Sequence, residues 1–132
     1  MSIHTQKIST MNPQRVATAA LQGFFNITQR WGLSATQQRV LLGDPPKSTF
    51  FKWKSDETAN QLDSATLERI SYILGIHKAL RLLLPTERAA YEWVNKPNDA
   101  PLFHGQTALS RMLAGRVADL YEVRRYLDGE RG

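Results

Sequence analysis

Lys47, Ser48, Thr49, Lys52 and Lys54 place three lysines and two hydroxyls within eight positions, directly after the turn-forming Gly43-Asp44-Pro45-Pro46. Ammonium groups at this density neutralise a polyanion. Short hydroxyls beside them donate hydrogen bonds to phosphates or to the edges of bases. No other set of residues suggests chemistry as readily. His4, His77 and His104 lie too far apart for a metal-ligand pattern and read as surface or loop residues. Asp63 and Glu68 are not a convincing acid pair, because Asp63 is better explained as a helix cap. With 0 cysteines there is no thiol nucleophile, no Cys-based zinc site and no disulfide framework. The sequence also has no phosphate-binding glycine loop, nucleophile elbow or dinucleotide fingerprint. The expectation is a binding protein rather than an enzyme, with no cofactor and no metal.

Composition bounds what can carry this cluster. The 132 residues are 42% hydrophobic and 22% charged, enough for one ordinary core or two small subdomains sharing one. The formal net charge is +5, of which residues 1–60 hold +4 and residues 61–132 only +1. A cationic first half favours anionic partners. No apolar run approaches the roughly 20 residues of a membrane span, and the stretch from Met1 to Met11 is polar, without an apolar signal core. A soluble, cytoplasmic protein is expected.

The elements that would position the cluster are helices throughout. From Pro13, behind Asn12 as a possible N-cap, Val16, Ala20, Phe24, Ile27 and Trp31 form one helical stripe that Gly32 ends. Ser34 with Gln37 makes a capping-box pattern for a second helix that ends at Gly43. A third helix is expected from near Pro45, capped by Asp44, through Lys54, with Ser55–Gln61 as a polar loop. Asp63 or Ser64 then caps a segment with Leu67, Ile70 and Leu74 on one face. Gly75 reads as a break or tight bend before Ile76, Ala79, Leu80 and Leu83. Thr86 and Thr107 cap two further short helices on either side of a long loop, Asn95 to Gly105. The last helix is expected over Arg116–Leu127, followed by a short, flexible charged tail, Asp128 to Gly132. The fold class is all-α: residues 1–12 as a flexible N-terminus, 13–60 as a helix–turn–helix bundle, and a small helical domain over 61–132 continuous with it.

Ser34–Leu42, the Gly43 turn and Pro45–Lys54 have the layout of a DNA-reading helix–turn–helix, in which the second helix enters the major groove. Lys47, Ser48, Thr49, Lys52 and Lys54 are the expected DNA-binding residues. Phe50 and Trp53 would pack this helix onto the first two, although Trp53 would also be able to stack on a base. An ordinary three-helix corner with a basic face has the same spacing. The apolar flank Leu21, Phe24 and Phe25 has more large residues than one stripe needs; it is either a dimer interface or covered by another helix of the same chain.

Three ordered motifs in the second half resemble a known family. They are Trp93-Val94-Asn95-Lys96-Pro97-Asn98, then Phe103-His104-Gly105-Gln106-Thr107-Ala108-Leu109, and Met112-Leu113-Ala114-Gly115 before a helix ending Tyr126-Leu127. Together they are similar to the toxin-binding domain of the Xre/MbcA/ParS-like antitoxins. Leu67-Glu68-Arg69-Ile70 with Leu74-Gly75-Ile76-His77-Lys78-Ala79-Leu80 resembles that family's central region, and Ser48 to Lys54 after Gly43 resembles its Xre-like reading helix. The resemblance covers roughly residues 14–128. Ala108 is a departure, since many members have Pro there.

The resemblance implies an antitoxin of a type II toxin–antitoxin system. Its partner would be a RES-domain toxin that consumes NAD⁺, or a related ADP-ribosyltransferase, whose active site the C-terminal domain covers. The N-terminal part would bind operator DNA and repress the shared operon as a homodimer, with larger toxin–antitoxin assemblies possible. The toxin-facing residues it implies are Arg124, Arg125, Tyr126, Asp128, Arg131 and Gly132, and deletion of residues 124–132 would free the toxin. Two other readings stay open: a stand-alone helix–turn–helix repressor whose C-terminal domain senses a ligand or partner, and a helical adaptor that binds only protein.

Overall fold

The computed structural model describes residues 12–56 and 59–132. The N-terminus expected to be flexible therefore lies outside the described residues except for Asn12, and so does His4. The described residues form seven α-helices in order: α1 (Pro13–Arg30), α2 (Ala35–Leu41), α3 (Lys47–Asp56), α4 (Ser64–Leu83), α5 (Glu87–Glu92), α6 (Ala108–Met112) and α7 (Val117–Glu130). A 3₁₀ turn, Trp93–Asn95, extends α5, and the described residues contain no strand, only an isolated bridge between Pro97 and Thr107. The all-α class is as expected.

Local side-chain chemistry starts most of these helices. Asn12 Oδ1 accepts from Gln14 N at 2.8 Å. Ser34 Oγ accepts from Gln37 N at 3.2 Å while Gln37 Oε1 accepts from Ser34 N at 2.9 Å, a complete capping box. Thr86 and Thr107 accept from Ala89 N and Ser110 N at 3.1 and 3.0 Å. Asp63, not Ser64, caps α4: its Oδ1 accepts from Thr66 N at 2.7 Å, and this bond holds the carboxyl below its usual range. Asp63→Ala should therefore cost about 1 kcal/mol in denaturant melts. Because the folded value is depressed, the difference from wild type should be complete above the unfolded carboxyl range. It should fade as pH falls through the folded value.

One core runs through the described chain. Leu21 and Phe24 of α1 meet Ile70, Ile73, Ile76 and Leu80 of α4, and the same cluster continues into Leu120, Val123 and Leu127 of α7. Helix α4 is the shared element, packed on α1 along one side and on α7 along another. Leu21, Phe24 and Phe25 are 0%, 0% and 4% exposed, so helices of the same chain cover the flank that was one candidate for a dimer interface.

Three expectations about helix limits are corrected. Gly75 does not interrupt α4, which runs unbroken through it; a Cβ there would overlap the Arg124 guanidinium, so the glycine permits α7's side chain to cross close to the α4 backbone. Helix α3 starts at Lys47, not near Pro45, and Asp44 is no cap: its φ of 60° and Gly43's of 89° make a left-handed turn. Helix α7 extends past Leu127 to Glu130, so Asp128 to Glu130 form its final turn and not a loose tail.

His77 also departs from the surface-or-loop expectation. It is half-buried on α4, stacked on Tyr91 with ring centroids 4.5 Å apart, and its Nδ1 is buried without a partner. Burial, then the neighbouring Arg81 and Arg30, lower its pKa against an opposing effect of Glu87. The unfolded chain thus takes up a proton that the folded chain resists, so stability should decline as pH falls below the ordinary histidine value. His77→Phe should flatten the drop in melting temperature between pH 7 and pH 5. His104 is exposed in the long loop, and no group of metal-binding side chains occurs among the described residues.

Candidate functional site

The first surface is built by α1, α2 and α3. Gln38 Nε2 donates to Thr28 Oγ1 at 3.0 Å and Thr28 donates to Phe24 O at 2.8 Å, pinning α2 to α1 through a buried polar bridge. The turn into α3 is held by Arg39, whose Nε donates to Pro45 O at 2.6 Å and whose Nη2 lies 3.4 Å from Asp44 Oδ1. Arg69 of α4 braces the same turn from below. Its Nη2 donates to Gly115 O at 3.0 Å, and a Cβ on Gly43 would come within 3.0 Å of its Nε. Phe50, 0% exposed, anchors α3 by edge contact with Phe25 at 5.9 Å. Trp53 is half-buried against the core, as its spacing from Phe50 suggests.

Anchoring by Phe50 decides what α3 shows to solvent. Lys47, Ser48, Lys52 and Lys54 are all exposed. Lys47, Ser48 and Lys52 share the outer side at helical spacing, whereas the Lys54 ammonium lies 6.0 Å from the Phe50 ring centre. Thr49 is half-buried and turns toward Trp53, lining a groove of about 470 Å³ with Pro46 and Asp63. Phe51 was not among the expected site residues, yet its ring stands 53% exposed between Lys47 and Lys52. The signal for it was phase: Phe50 and Trp53 lie three apart on one side, and Phe51 falls off that side.

The second surface lies on α7. Arg124 Nε pairs with Asp128 Oδ2 at 3.1 Å, and Arg131 Nη1 lies 3.6 Å from Asp128 Oδ1, so three of the expected toxin-facing residues form one chain of charge. Arg125 and the terminal Gly132 are exposed. Tyr126 mainly packs: it stacks on Trp93 at 6.4 Å and meets the Phe103 ring edge-on at 5.2 Å. Tyr72 and Tyr121 complete the surface and were not expected. Their rings meet edge-on at 5.9 Å and line a groove of about 530 Å³ with Arg124, Arg125 and Asp128. Tyr121 is 46% exposed, and it also borders, with Arg125, a second groove of about 550 Å³ on the far side of that arginine. The Tyr72 hydroxyl donates to Glu68 Oε2 at 3.1 Å; desolvation and that carboxylate raise the phenol's pKa. Aromatic rings beside guanidinium groups are the composition of a protein-binding anchor.

Residues 79–132, which include α5, α6 and α7, match the antitoxin Xre/MbcA/ParS C-terminal toxin-binding domain family. Among curated proteins, the chain is 52% identical over 114 residues to "Uncharacterized protein y4oB" of Sinorhizobium fredii (strain NBRC 101917 / NGR234), an alignment spanning 86% of this chain and 85% of that protein. No solved structure matches the chain.

Proposed function

Residues 79–132 carry the C-terminal toxin-binding domain of the Xre/MbcA/ParS antitoxins, and on that premise we propose that the chain neutralises an NAD⁺-consuming RES-type toxin while repressing the operon that encodes both. The observation that carries this reading is that the matched toxin-binding segment contains Tyr121, Arg124, Arg125 and Asp128 of α7, with Tyr72 of α4 just outside it, while the basic, hydroxyl-bearing surface of α3 lies well outside that segment. One chain therefore has two chemically distinct faces. Arg125 and Arg131 pair with acidic toxin groups or take the positions meant for the phosphates of NAD⁺, and Tyr121 supplies apolar contact. Lys47 and Lys52 neutralise DNA phosphates, and Ser48 and Thr49 approach base edges or phosphates from the start of α3. The finer division follows: residues 13–60 act on DNA and residues 61–132 on toxin, in the cytoplasm.

A module of this size contacts few phosphates alone, so a homodimer would place two α3 helices on half-sites about one helical turn apart. Its interface has to lie elsewhere than Leu21, Phe24 and Phe25.

The test is co-expression with the adjacent reading frame. The expected result is a co-purifying complex in which NAD⁺ loss is blocked, together with salt-sensitive retention of the chain's own upstream DNA. A neighbouring gene product that neither co-purifies nor consumes NAD⁺ would overturn the toxin assignment. Promoter retention in that case would leave the stand-alone repressor.

A further inference from the structure

Phe51 is one of three large hydrophobic side chains that stand exposed among the described residues, with Leu82 and Tyr121, and the only one on α3. Its surroundings are cationic. Lys47 lies one helical turn before it and Lys52 directly follows it, while Arg39 of α2, its charge paired with Asp44, lines the same shallow cleft with Ala35 and Thr36. The ring meets Phe50 edge-on at 5.2 Å. An exposed apolar ring flanked by two lysines suits a surface that is itself apolar in spots and anionic at its margins. The major groove of DNA has that character: phosphates flank it, and each thymine presents a 5-methyl group on its floor.

Resting on the DNA-binding reading above, we propose that Phe51 is a specificity-determining residue that reads the thymine 5-methyl group in the operator half-site, while Lys47 and Lys52 hold the flanking phosphates. The lysines supply affinity without sequence information, and Phe51 supplies discrimination without charge. Thr36, exposed across the cleft at the start of α2, bounds the same contact from the side.

The experiment compares the chain's own upstream DNA amplified with dTTP against the same fragment amplified with dUTP, which lacks only the methyl groups. Wild-type chain should bind the thymine fragment about 4-fold more tightly than the uracil fragment, the scale of burying one methyl group. Phe51→Ala should bind both fragments equally, with an unchanged salt slope; Phe51→Leu, which keeps an apolar side chain, should retain part of the preference. Thermal melts of both variants check that the fold is intact, as expected for a side chain this exposed. Equal binding of the two fragments by wild-type chain, or a preference that survives Phe51→Ala, overturns the proposal while leaving the DNA-binding reading in place. Failure to bind either fragment in a salt-dependent manner overturns both.

Discussion

Lys47→Glu combined with Lys52→Glu should lower affinity for the upstream DNA by about 100-fold at 0.1 M salt, with a shallower salt dependence. Each phosphate contact contributes a slope of about 0.9 in log affinity against log salt, which at 0.1 M corresponds to roughly a factor of ten. Lys52→Ala alone should weaken binding to all sequences alike and reduce the slope by about one. Both side chains are exposed, and no ion pair involves either among the described residues, so the fold should be undisturbed. Electrophoretic mobility shifts across a salt series check the effect. An unchanged slope in the double variant would place α3 off the DNA. Toxin neutralisation by this variant should be normal.

The complementary variant is Tyr121→Ala with Arg125→Glu. Buried aromatic and arginine anchors in protein interfaces each cost about 2 kcal/mol or more when removed, so the pair should weaken the toxin complex by about 1,000-fold. Growth of cells carrying both genes should then fail, while upstream DNA is still retained. Deletion of residues 124–132 is a poorer test than the sequence alone suggests, because it removes Leu127, which is 2% exposed in the core. Loss of function after that deletion would confound misfolding with a missing contact. Surface substitutions on α7 avoid this, since exposed changes usually stay within about 0.5 kcal/mol. If the pair neutralises toxin as well as wild type does, the α7 surface is not where toxin binds.

The helix starts were legible because capping is local: Asn12, Ser34, Asp63, Thr86 and Thr107 each bond a backbone N–H two or three residues ahead. Gly75 was not, because a glycine inside an apolar pattern looks like a breaker until the partner that needs its empty side is known. That partner, Arg124, is on another helix. The extent of α7 was underestimated for a similar reason: Asp128 reads as a polar tail residue, but its pairing with Arg124 one turn earlier supports the last turn of helix. Of the candidate site residues, the exposed lysines of α3 followed from composition and the Gly43 turn. Tyr72 and Tyr121 did not, since an aromatic residue in a helix reads as core until the core is seen to be filled by others; Phe51 was legible only through its phase, off the side that Phe50 and Trp53 share. Tyr126 shows the converse, with its ring committed to Trp93 and Phe103.

Helix α4 gives one of its sides to α1 and another to α7. Residues 61–132 expressed alone would leave part of α4's row of isoleucines wet, and residues 13–60 alone would leave Leu21, Phe24 and Phe25 uncovered, so neither should survive as an independent fragment. Lineages that acquire a new operator or a new toxin are therefore held to retouching solvent-facing residues in place, and recombination between relatives at the middle of the gene should seldom give a folded product.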